Sequence, residues 1–404
     1  MNRNKVLVAM SGGVDSAVCA YLLKKTDMQP TGITMMLWSG KTSAEDGYDA
    51  LPDQNCTDAK SVADQLNIPH VSIALGSLFK ETVVDEFINA YTNGLTPNPC
   101  VNCNKHVKFG ALMDIADEMG IYHLATGHYA RTEKLGDGSY VLKKAKDPLK
   151  DQSYFLWSIK KEYLPRILFP LGEYKKDDIR TIAREEKLKC AYREDSQDIC
   201  FIPDGDYISF IREQTNKTFP CGNFISTSGE ILGQHSGIIN YTVGQRKGLG
   251  IALGKPVFVC QKDVINNTVT LCSDEELYKK ELTAHSLNLL TDTPLSERRR
   301  YEVKIRYRHT PVWATVEQTD IDKIKVVFDS PQRAITSGQS VVLYDGDTVV
   351  GGGIIDATPP CAAKAARPRP FPKASGNSPS APAPGAGSPH PLNNDNIHRS
   401  DRIR

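Results

Sequence analysis

The chain contains, near its beginning, the run Val6-Leu7-Val8-Ala9-Met10-Ser11-Gly12-Gly13-Val14-Asp15-Ser16, which specifies the architecture of its first domain. It begins as a short apolar run, typical of a buried strand, and ends where the amphipathic helix of residues 16–24 starts. Between them, two glycines permit a tight turn and a close approach of the backbone to a phosphate. The free N–H groups and positive dipole end of the helix favour the same ligand. The stretch therefore predicts a strand–loop–helix unit that binds phosphates.

The side chains of this loop refine that prediction. Ser11 and Ser16 can donate hydroxyl hydrogens to a phosphate, and the carboxylate of Asp15 suits a Mg²⁺ ion carried by the phosphates. The alternative is a plain Gly-Gly turn in which Ser or Asp caps the helix. The loop has no lysine, so it is not the lysine-containing P-loop of other nucleotide-binding proteins.

Outward from the loop, the first 200 or so residues alternate strand and helix patterns. Further strands are predicted at residues 31–38, 70–75 and 122–126, and further helices at 57–66, 79–91 and 108–119. This βαβα order predicts a parallel sheet that is covered on both faces. After about residue 201, turn signals and short β-rich runs predict small β domains, which the helix-like run 274–281 separates into two.

We therefore expect an α/β protein with four parts. They are a Rossmann-like catalytic domain at residues 1–205, a small β-rich domain at 206–280, a β-barrel at 281–356 and a tail at 357–404. The tail holds ten of the chain's 24 prolines. Such a segment cannot bury enough apolar surface to offset its ordering entropy, so we expect disorder there.

Composition and charge limit the possible partners. No apolar run approaches the ~18 residues that a membrane helix needs. The first residues lack the pattern of a signal peptide, so we expect a cytoplasmic protein with no membrane partner. The tail carries seven Lys and Arg against two Asp and Glu, which leaves −4 on the body of a chain whose net charge is +1. A nucleic acid would therefore have to be held by local basic patches.

Three basic patches meet that requirement. Residues 296–301 and 304–308 interleave basic with aromatic residues, and on a strand Lys304, Arg306 and Arg308 would share one face. Phosphate contact with base stacking is one interpretation of this stretch, and a solvated strand face is the other. The remaining patches are Lys143, Lys144, Lys146 and Lys150, and the run Gly244-Gln245-Arg246-Lys247-Gly248.

Three of the ten cysteines have informative surroundings. Cys100 and Cys103 form a C-x-x-C pair, and two nearby prolines predict a loop just before the next helix. The cations within residues 105–108, together with the helix N-terminus, would favour a thiolate at Cys103. Cys200 follows about 100 residues later. Three interpretations compete: a persulfide relay between Cys103 and Cys200, a metal or iron–sulfur site that uses all three, and unrelated structural thiols.

Two resemblances narrow these alternatives. Ser11–Ser16 resembles the pyrophosphate loop of the N-type ATP pyrophosphatases, which have the adenine nucleotide alpha hydrolase-like fold and form adenylates. Over residues 3–356 the chain also resembles the bacterial tRNA-specific 2-thiouridylases, which thiolate the wobble uridine of tRNA. The further motifs that carry this resemblance are Asn98–Phe109, Ala125–Tyr129, Lys150–Tyr154, Ser196–Phe201, Gly244–Gly248 and Arg306-Tyr307.

The second resemblance implies roles for individual residues. It makes Cys103 the nucleophile and Cys200 the cysteine that bears a persulfide. It implies ATP contacts at Ala9, Met10, Ser11, Gly12, Gly13, Val14, Asp15, Ser16, Met35 and Gly127. It implies contacts with the target base at Asn98, Pro99 and Cys100. Further tRNA contacts are implied at His128, Lys150, Asp151, Gln152, Arg306, Tyr307 and Gln339.

The implied activity is that of a tRNA-uridine 2-sulfurtransferase acting at position 34 of the anticodon stem-loop. ATP and Mg²⁺ would adenylate the uridine. A cysteine desulfurase or a persulfide relay protein would charge Cys200, and attack by Cys103 would leave a disulfide bond. One position departs from the family, because familiar members have an aspartate where this chain has Cys100. Three cysteines would suit a 4Fe–4S cluster that carries the sulfur.

Two rival functions remain open at this stage. An amide-forming ligase of the same ATPase class would need neither Cys103 nor Cys200. A tRNA-binding protein whose cysteines hold a structural metal would bind RNA without consuming ATP.

Overall fold

The computed structural model describes residues 1–38, 54–194, 199–292, 295 and 298–357. Its first sheet has five strands in the order β3-β2-β1-β4-β7, and all of its pairings are parallel. These strands are β1 (Asn2–Ala9), β2 (Gln29–Met36), β3 (His70–Ala74), β4 (Ile121–Ala125) and β7 (Ile167–Leu168). The predicted parallel sheet is therefore confirmed.

Helices cover both faces of this sheet. Val6 and Val8 of β1 are buried in the same apolar cluster as residues of the helices Val14–Lys24, Gln54–Gln65 and Lys176–Glu185. Leu7 points to the opposite face, into a cluster with Leu112. Successive side chains of a strand alternate between the faces, so an unbroken apolar run is what a doubly covered strand requires.

Two longer helices each carry a π-helical segment. The helix at residues 76–92 is π-helical at Lys80–Asp85. The helix at residues 99–118, here called the cysteine helix, is π-helical at Cys103–Ala111. Such segments are rare and are frequent at functional sites.

The predicted loop between the prolines and Lys108 is wrong. The cysteine helix already begins at Pro99, and the side chain of Asn98 accepts a hydrogen bond of 3.2 Å from the Cys100 N–H. Proline is well suited to a first helical position, because an N–H there has no partner within the helix. Pro99 therefore starts the helix, and both Cys100 and Cys103 lie within it.

The C-terminal region contains a closed antiparallel barrel of six strands. It closes because β12 pairs with β15 on one side and with β17 on the other. The strands are β12 (Tyr278–Leu289), β13 (Arg299–Lys304), β14 (Val312–Asp320), β15 (Lys323–Arg333), β16 (Ser340–Asp345) and β17 (Thr348–Ile355). The helix-like prediction at 274–281 is wrong. Only Glu275–Leu277 is helical, because Tyr278 is already paired with Arg333 as part of β12.

A hairpin from the first half of the chain extends the barrel sheet. Its strands are β5 (Ala130–Lys134) and β6 (Tyr140–Lys144), and Lys143 pairs with Thr348 of β17. Asp347 fixes the junction through ion pairs with Arg131 at 2.7 Å and Lys143 at 3.3 Å. The sequence patterns did not predict this hairpin.

A smaller unit lies between the parallel sheet and the barrel in the chain. It contains the helix Tyr207–Thr215 and a four-stranded sheet in the order β10-β11-β8-β9. The strands are β8 (Gly222–Ser226), β9 (Ile231–His235), β10 (Phe258–Asp263) and β11 (Thr268–Cys272). Apart from Ala357, the predicted tail lies outside the described residues. Within the described ranges, no helix combines the length and the apolar character needed to cross a membrane.

Candidate active site

The predicted phosphate loop lies at the carboxyl end of β1, which is flanked by β2 and β4. In an open parallel sheet, the connections from such a strand diverge and leave a crevice that binds ligands. Gly12 has a φ of +74°, and a Cβ there would lie 2.7 Å from Cβ of Asp58. Gly127, just after β4, approaches the loop so closely that its Cβ would lie 3.0 Å from the Ser16 nitrogen. Both glycines are therefore required by the packing of the loop.

Other implied ATP contacts lie around this crevice, but Ser16 has an unexpected role. Its hydroxyl accepts a hydrogen bond of 3.1 Å from the Ser11 N–H and donates one of 3.1 Å to the Gly13 carbonyl. The hydroxyl hydrogen of Ser16 is thus used within the loop in this structure, and the hydroxyl would have to turn to donate to a phosphate. Ser11 is exposed, and Met35 is half-buried on β2.

Asp15 is the centre of a polar cluster. Lys176 donates to both carboxylate oxygens, at 2.7 and 2.8 Å, and the hydroxyl of Tyr129 donates to one of them at 2.8 Å. Arg193 lies on the other side of the loop, where it donates to the Gly12 carbonyl at 3.3 Å. Both oxygens of the Asp15 carboxylate already accept hydrogen bonds from Lys176, so a magnesium ion at Asp15 would have to compete with this ammonium.

Sequence reasoning missed Lys176. It is 161 positions from Asp15, at the start of a helix whose Lys-Lys-Asp-Asp run resembles any solvated helix end. Tyr129 belongs to the quoted motif 125–129, but nothing in the sequence pairs its hydroxyl with Asp15.

The structure places the three candidate cysteines in one region. Cys103 is buried, whereas Cys100 and Cys200 are open to solvent. Phe201, which follows Cys200, packs against Phe79 and Phe87 with ring centroids 5.7 and 5.5 Å away. It shares its apolar cluster with Cys103, so aromatic packing holds the Cys200 segment against the cysteine helix.

The prediction of a thiolate at Cys103 is wrong. Burial raises the pKa of the Cys103 thiol to about 12, although the ammonium of Lys108 acts in the opposite direction. Dense surrounding protein also raises the pKa of Cys100 and the pKa of Cys200, and Lys108 again opposes the shift. The loss of hydration therefore outweighs the nearby positive charge. Of the predicted cations, Lys108 is the one that acts on all three thiols.

His128 positions that lysine. Its Nε2 lies 3.5 Å from Nζ of Lys108, and its Nδ1 lies 2.7 Å from the hydroxyl of Thr126. Burial, followed by the charge of Lys108, lowers the pKa of His128 well below its usual value. The neutral imidazole then accepts from Lys108 through Nε2 and donates to Thr126 through Nδ1.

The implied tRNA segment at residues 150–152 is tied to the nucleotide loop. The Gln152 N–H donates a hydrogen bond of 2.8 Å to the Tyr129 carbonyl, and the Tyr129 N–H donates one of 2.9 Å to the side-chain oxygen of Gln152. The hydroxyl of Tyr129 in turn donates to Asp15. Asp151 is buried and accepts hydrogen bonds from Ala145 and Ser153. These hydrogen bonds to the Asp151 carboxylate therefore stabilise the conformation of the segment.

The barrel also reaches the cysteine helix. Gln339 donates a hydrogen bond of 2.8 Å to the carbonyl of Thr96, two residues before Asn98. Tyr307 packs against Phe155 with centroids 4.5 Å apart, and Arg306 donates to the Arg333 carbonyl at 3.2 Å. Gln339 is therefore the implied tRNA contact that lies beside the segment preceding the cysteines, whereas Tyr307 lies beside the residue that follows the motif 150–154.

Two predictions about basic patches need correction. Lys304, Arg306 and Arg308 do not share a strand face, because β13 ends at Lys304. The lysines of the second patch are largely neutralised by acidic partners. Their ion pairs are Lys143–Glu133 at 2.9 Å, Lys144–Glu302 at 3.5 Å and Lys146–Glu173 at 2.5 Å. In the third patch, Arg246 and Lys247 are exposed.

The same residues bear on the iron–sulfur interpretation. Across the part of the chain that the structure describes, no three His, Cys, Asp or Glu side chains are arranged to hold a metal ion. The nine cysteines in these ranges are free thiols. The three candidate thiols as placed therefore do not form a cluster-binding set.

Comparison with known proteins covers nearly all of the described chain. Three family models match, with the descriptions tRNA methyl transferase HUP domain at residues 4–204, tRNA methyl transferase PRC-barrel domain at 208–273 and aminomethyltransferase beta-barrel domain at 279–355. Among solved structures, a 4-thiouridine synthetase–RNA complex with bound ATP is 16% identical with a TM-score of 0.34, and covers 52% of this chain and 50% of that one.

Curated relatives match over their full length. The tRNA-specific 2-thiouridylase MnmA of Clostridioides difficile is 46% identical over 357 residues, which is 88% of this chain and 99% of the relative. That of Acetivibrio thermocellus is 46% identical over 362 residues, 88% of this chain and all of the relative. With this identity and coverage, the chain belongs to the tRNA-specific 2-thiouridylase family.

Proposed function

We propose that this protein catalyses the ATP-dependent 2-thiolation of the uridine at wobble position 34 of tRNA. The observation that best supports the proposal concerns the residues after β4, because they contact both the nucleotide loop and the region of the cysteines. Gly127 packs against the nucleotide loop, while the next residue, His128, holds Lys108 beside the three thiols. The site that would activate the base and the site that would supply sulfur therefore lie on either side of Gly127 and His128.

The first half-reaction activates the base. The uridine O2 attacks the α-phosphate of ATP, pyrophosphate leaves, and the base carries an adenylate. This step is needed because a carbonyl oxygen is a poor leaving group and AMP is a good one. The N-terminus of the helix Val14–Lys24 supplies unpaired N–H groups and a positive dipole end for the phosphates. The target base must be splayed from its loop to reach this crevice.

The second half-reaction delivers sulfur. Cys200 is open to solvent, as a thiol that receives a persulfide from a desulfurase or relay protein must be. The terminal sulfur attacks C2 of the adenylated base and AMP leaves. Cys103 then attacks the inner sulfur of Cys200, which breaks the S–S bond, completes the thiocarbonyl and leaves a Cys103–Cys200 disulfide. Alternatively, the same attack comes first and releases hydrosulfide, which adds to C2.

Lys108 has a defined task in this scheme. Attack by Cys103 requires a thiolate, whereas burial favours the protonated thiol. The ammonium of Lys108 stabilises the negative charge as it develops, and the neutral His128 keeps the ammonium in place. His128 therefore contributes to sulfur chemistry in addition to its implied contact with tRNA.

The iron–sulfur-dependent version stays an alternative, motivated by Cys100 at the position of the family's aspartate. Anaerobic purification followed by iron and sulfide analysis tests it: about four iron atoms per chain, lost in Cys100→Ser, would replace the persulfide scheme. The cytoplasmic location and the domain boundaries at 205, 280 and 356 likewise stay predictions.

A thiolation assay tests the proposal directly. Unmodified tRNA, ATP, Mg²⁺ and a persulfide donor are incubated without oxygen, and the nucleosides are analysed by mass. We expect 2-thiouridine from the wild type and none from Cys200→Ser. Equal product from both would remove Cys200 from the sulfur path. A methylated nucleoside, which the family-model descriptions would favour, would replace the proposal altogether. An amide product, or tRNA binding without pyrophosphate release, would support the rival functions.

A further inference from the structure

A lysine from outside the nucleotide loop lies within its polar cluster. The loop itself has no lysine between Met10 and Ser16. Lys176, the first residue of the helix Lys176–Glu185, extends its ammonium to both oxygens of Asp15. Its side chain is 8% exposed, whereas the side chain of Asp15 is 35% exposed. The protein therefore shields the Lys176 end of this ion pair from solvent, whereas the Asp15 end, at the loop, is accessible to solvent.

Several contacts fix the position of this lysine. Its backbone N–H donates to Oδ2 of Asp147 at 3.1 Å, and its ammonium lies 5.7 Å from the ring centroid of Tyr129. Tyr129 in turn donates its hydroxyl to Asp15. Holding a long, flexible lysine in one position costs rotamer entropy, and these contacts offset that cost. The network therefore keeps the ammonium at one place.

The location of the charge indicates what it would bind. Taking an ammonium out of water is costly unless it has an anionic partner, and Asp15 provides that partner in this structure. A triphosphate in the loop would bring several negative charges to the accessible side of the same pair. Hydrogen bonds from an ammonium exchange readily, so Lys176 can turn one of its donors to a phosphate oxygen while it remains bonded to Asp15. A second cation at Asp15 would instead compete with Lys176 for the carboxylate.

We propose that Lys176 is a pyrophosphate-binding residue of the ATP site and that Asp15, Tyr129 and Asp147 are its positioning residues. In this arrangement Asp15 holds the Lys176 ammonium beside the leaving pyrophosphate. This replaces the direct contact of Asp15 with magnesium that the sequence suggested. The inference rests on the proposed ATP-dependent activation of tRNA. It also connects that activation to RNA, because Gln152 of the implied tRNA segment is bonded to Tyr129.

The test compares nucleotides that differ in the leaving group. Dissociation constants for ATP, inorganic pyrophosphate and AMP are measured by calorimetry on the full chain and on Lys176→Met. Lys175→Met is the matched control, because its side chain is exposed and adjacent and the change in charge is the same. We expect Lys176→Met to weaken ATP and pyrophosphate about 10- to 100-fold, the size of a charge-assisted hydrogen bond, and to leave AMP unchanged.

Other outcomes would overturn the inference. Equal weakening of ATP and AMP would show that Lys176 only maintains the shape of the loop. Unchanged or tighter binding of ATP with Mg²⁺ would show that Asp15 serves the metal once the lysine is removed. If Lys176→Met does not fold, Lys176→Arg carries the same comparison, since it keeps the charge in a different shape. Pyrophosphate release by the wild type with tRNA tests the proposed function separately from any of these results.

Discussion

The nucleotide loop and the cysteine helix lie on either side of the end of β4, and they hold their charges in opposite ways. In the loop, Asp15 is paired and hydrogen-bonded before any ligand arrives. On the cysteine helix, burial keeps the thiols protonated, and Lys108 opposes this only in part. The difference indicates that the phosphate site is preorganised, whereas the sulfur site must be activated during each turnover. Four experiments test whether the two regions differ in this way.

The largest expected effect separates the two half-reactions. Cys200→Ser should lower 2-thiouridine formation by roughly 10³-fold or more, because a hydroxyl cannot carry the transferred sulfur. Binding of ATP, measured by calorimetry, should not change. Cys221→Ser is the control, since that thiol is also exposed. Loss of ATP binding in Cys200→Ser would mean that the two regions do not function separately.

The pH dependence of thiol reactivity comes next. Because burial raises the pKa of Cys103 to about 12, its thiolate fraction should rise about tenfold per pH unit between pH 7 and 9. Alkylation of Cys103, followed by peptide mass spectrometry, should therefore accelerate about 100-fold without levelling off. A free small-molecule thiol with an ordinary pKa near ~8.5 should level off towards pH 9. A plateau for Cys103 below pH 8 would show that the thiol is activated in the resting protein.

The geometry of the loop is tested by Gly12→Ala. A side chain there meets Asp58 and must adopt a φ of +74°, so we expect a loss of about 1–3 kcal/mol in the free energy of unfolding. Affinity for ATP should fall about tenfold. Gly136→Ala is the matched control, since a Cβ there meets nothing within 4 Å. Equal stability of the two variants, measured by denaturant unfolding, would contradict the preorganised loop.

The smallest expected effect concerns Lys108. Lys108→Met should raise the pKa of all three candidate thiols and slow alkylation of Cys100 and Cys200 a few-fold at pH 8. Lys105→Met is the control, because Lys105 is exposed on the same helix. If the two variants behaved alike, the charge near the cysteines would be diffuse and not the property of one residue.

The sequence predicted the parts of this molecule that local patterns specify. The apolar run Val6–Met10 and the glycines after it identified the central strand and the loop. The predicted strand at 70–75 likewise corresponds to β3, which covers His70–Ala74. Such features depend on neighbours in the chain, and the period of side chains is enough to reveal them.

The remaining features depend on distant partners. Lys176 meets Asp15, and Thr348 meets Lys143, only after the chain has folded. Thiol reactivity was predicted wrongly for the same reason. The sequence shows the cations near Cys103, but it does not show how much protein surrounds the sulfur.

The hairpin β5–β6 has a consequence for biosynthesis. Its arginine, Arg131, is bonded to a carboxylate 216 positions later, so the first 200 residues leave the ribosome before the strand that borders the hairpin exists. An unpaired strand edge in a nascent chain can pair with the wrong partner, and contacts so distant in the chain slow folding. We therefore expect the full chain to need chaperones during synthesis more than a protein made of the parallel sheet alone. A fragment ending near residue 205 should aggregate when it is expressed by itself.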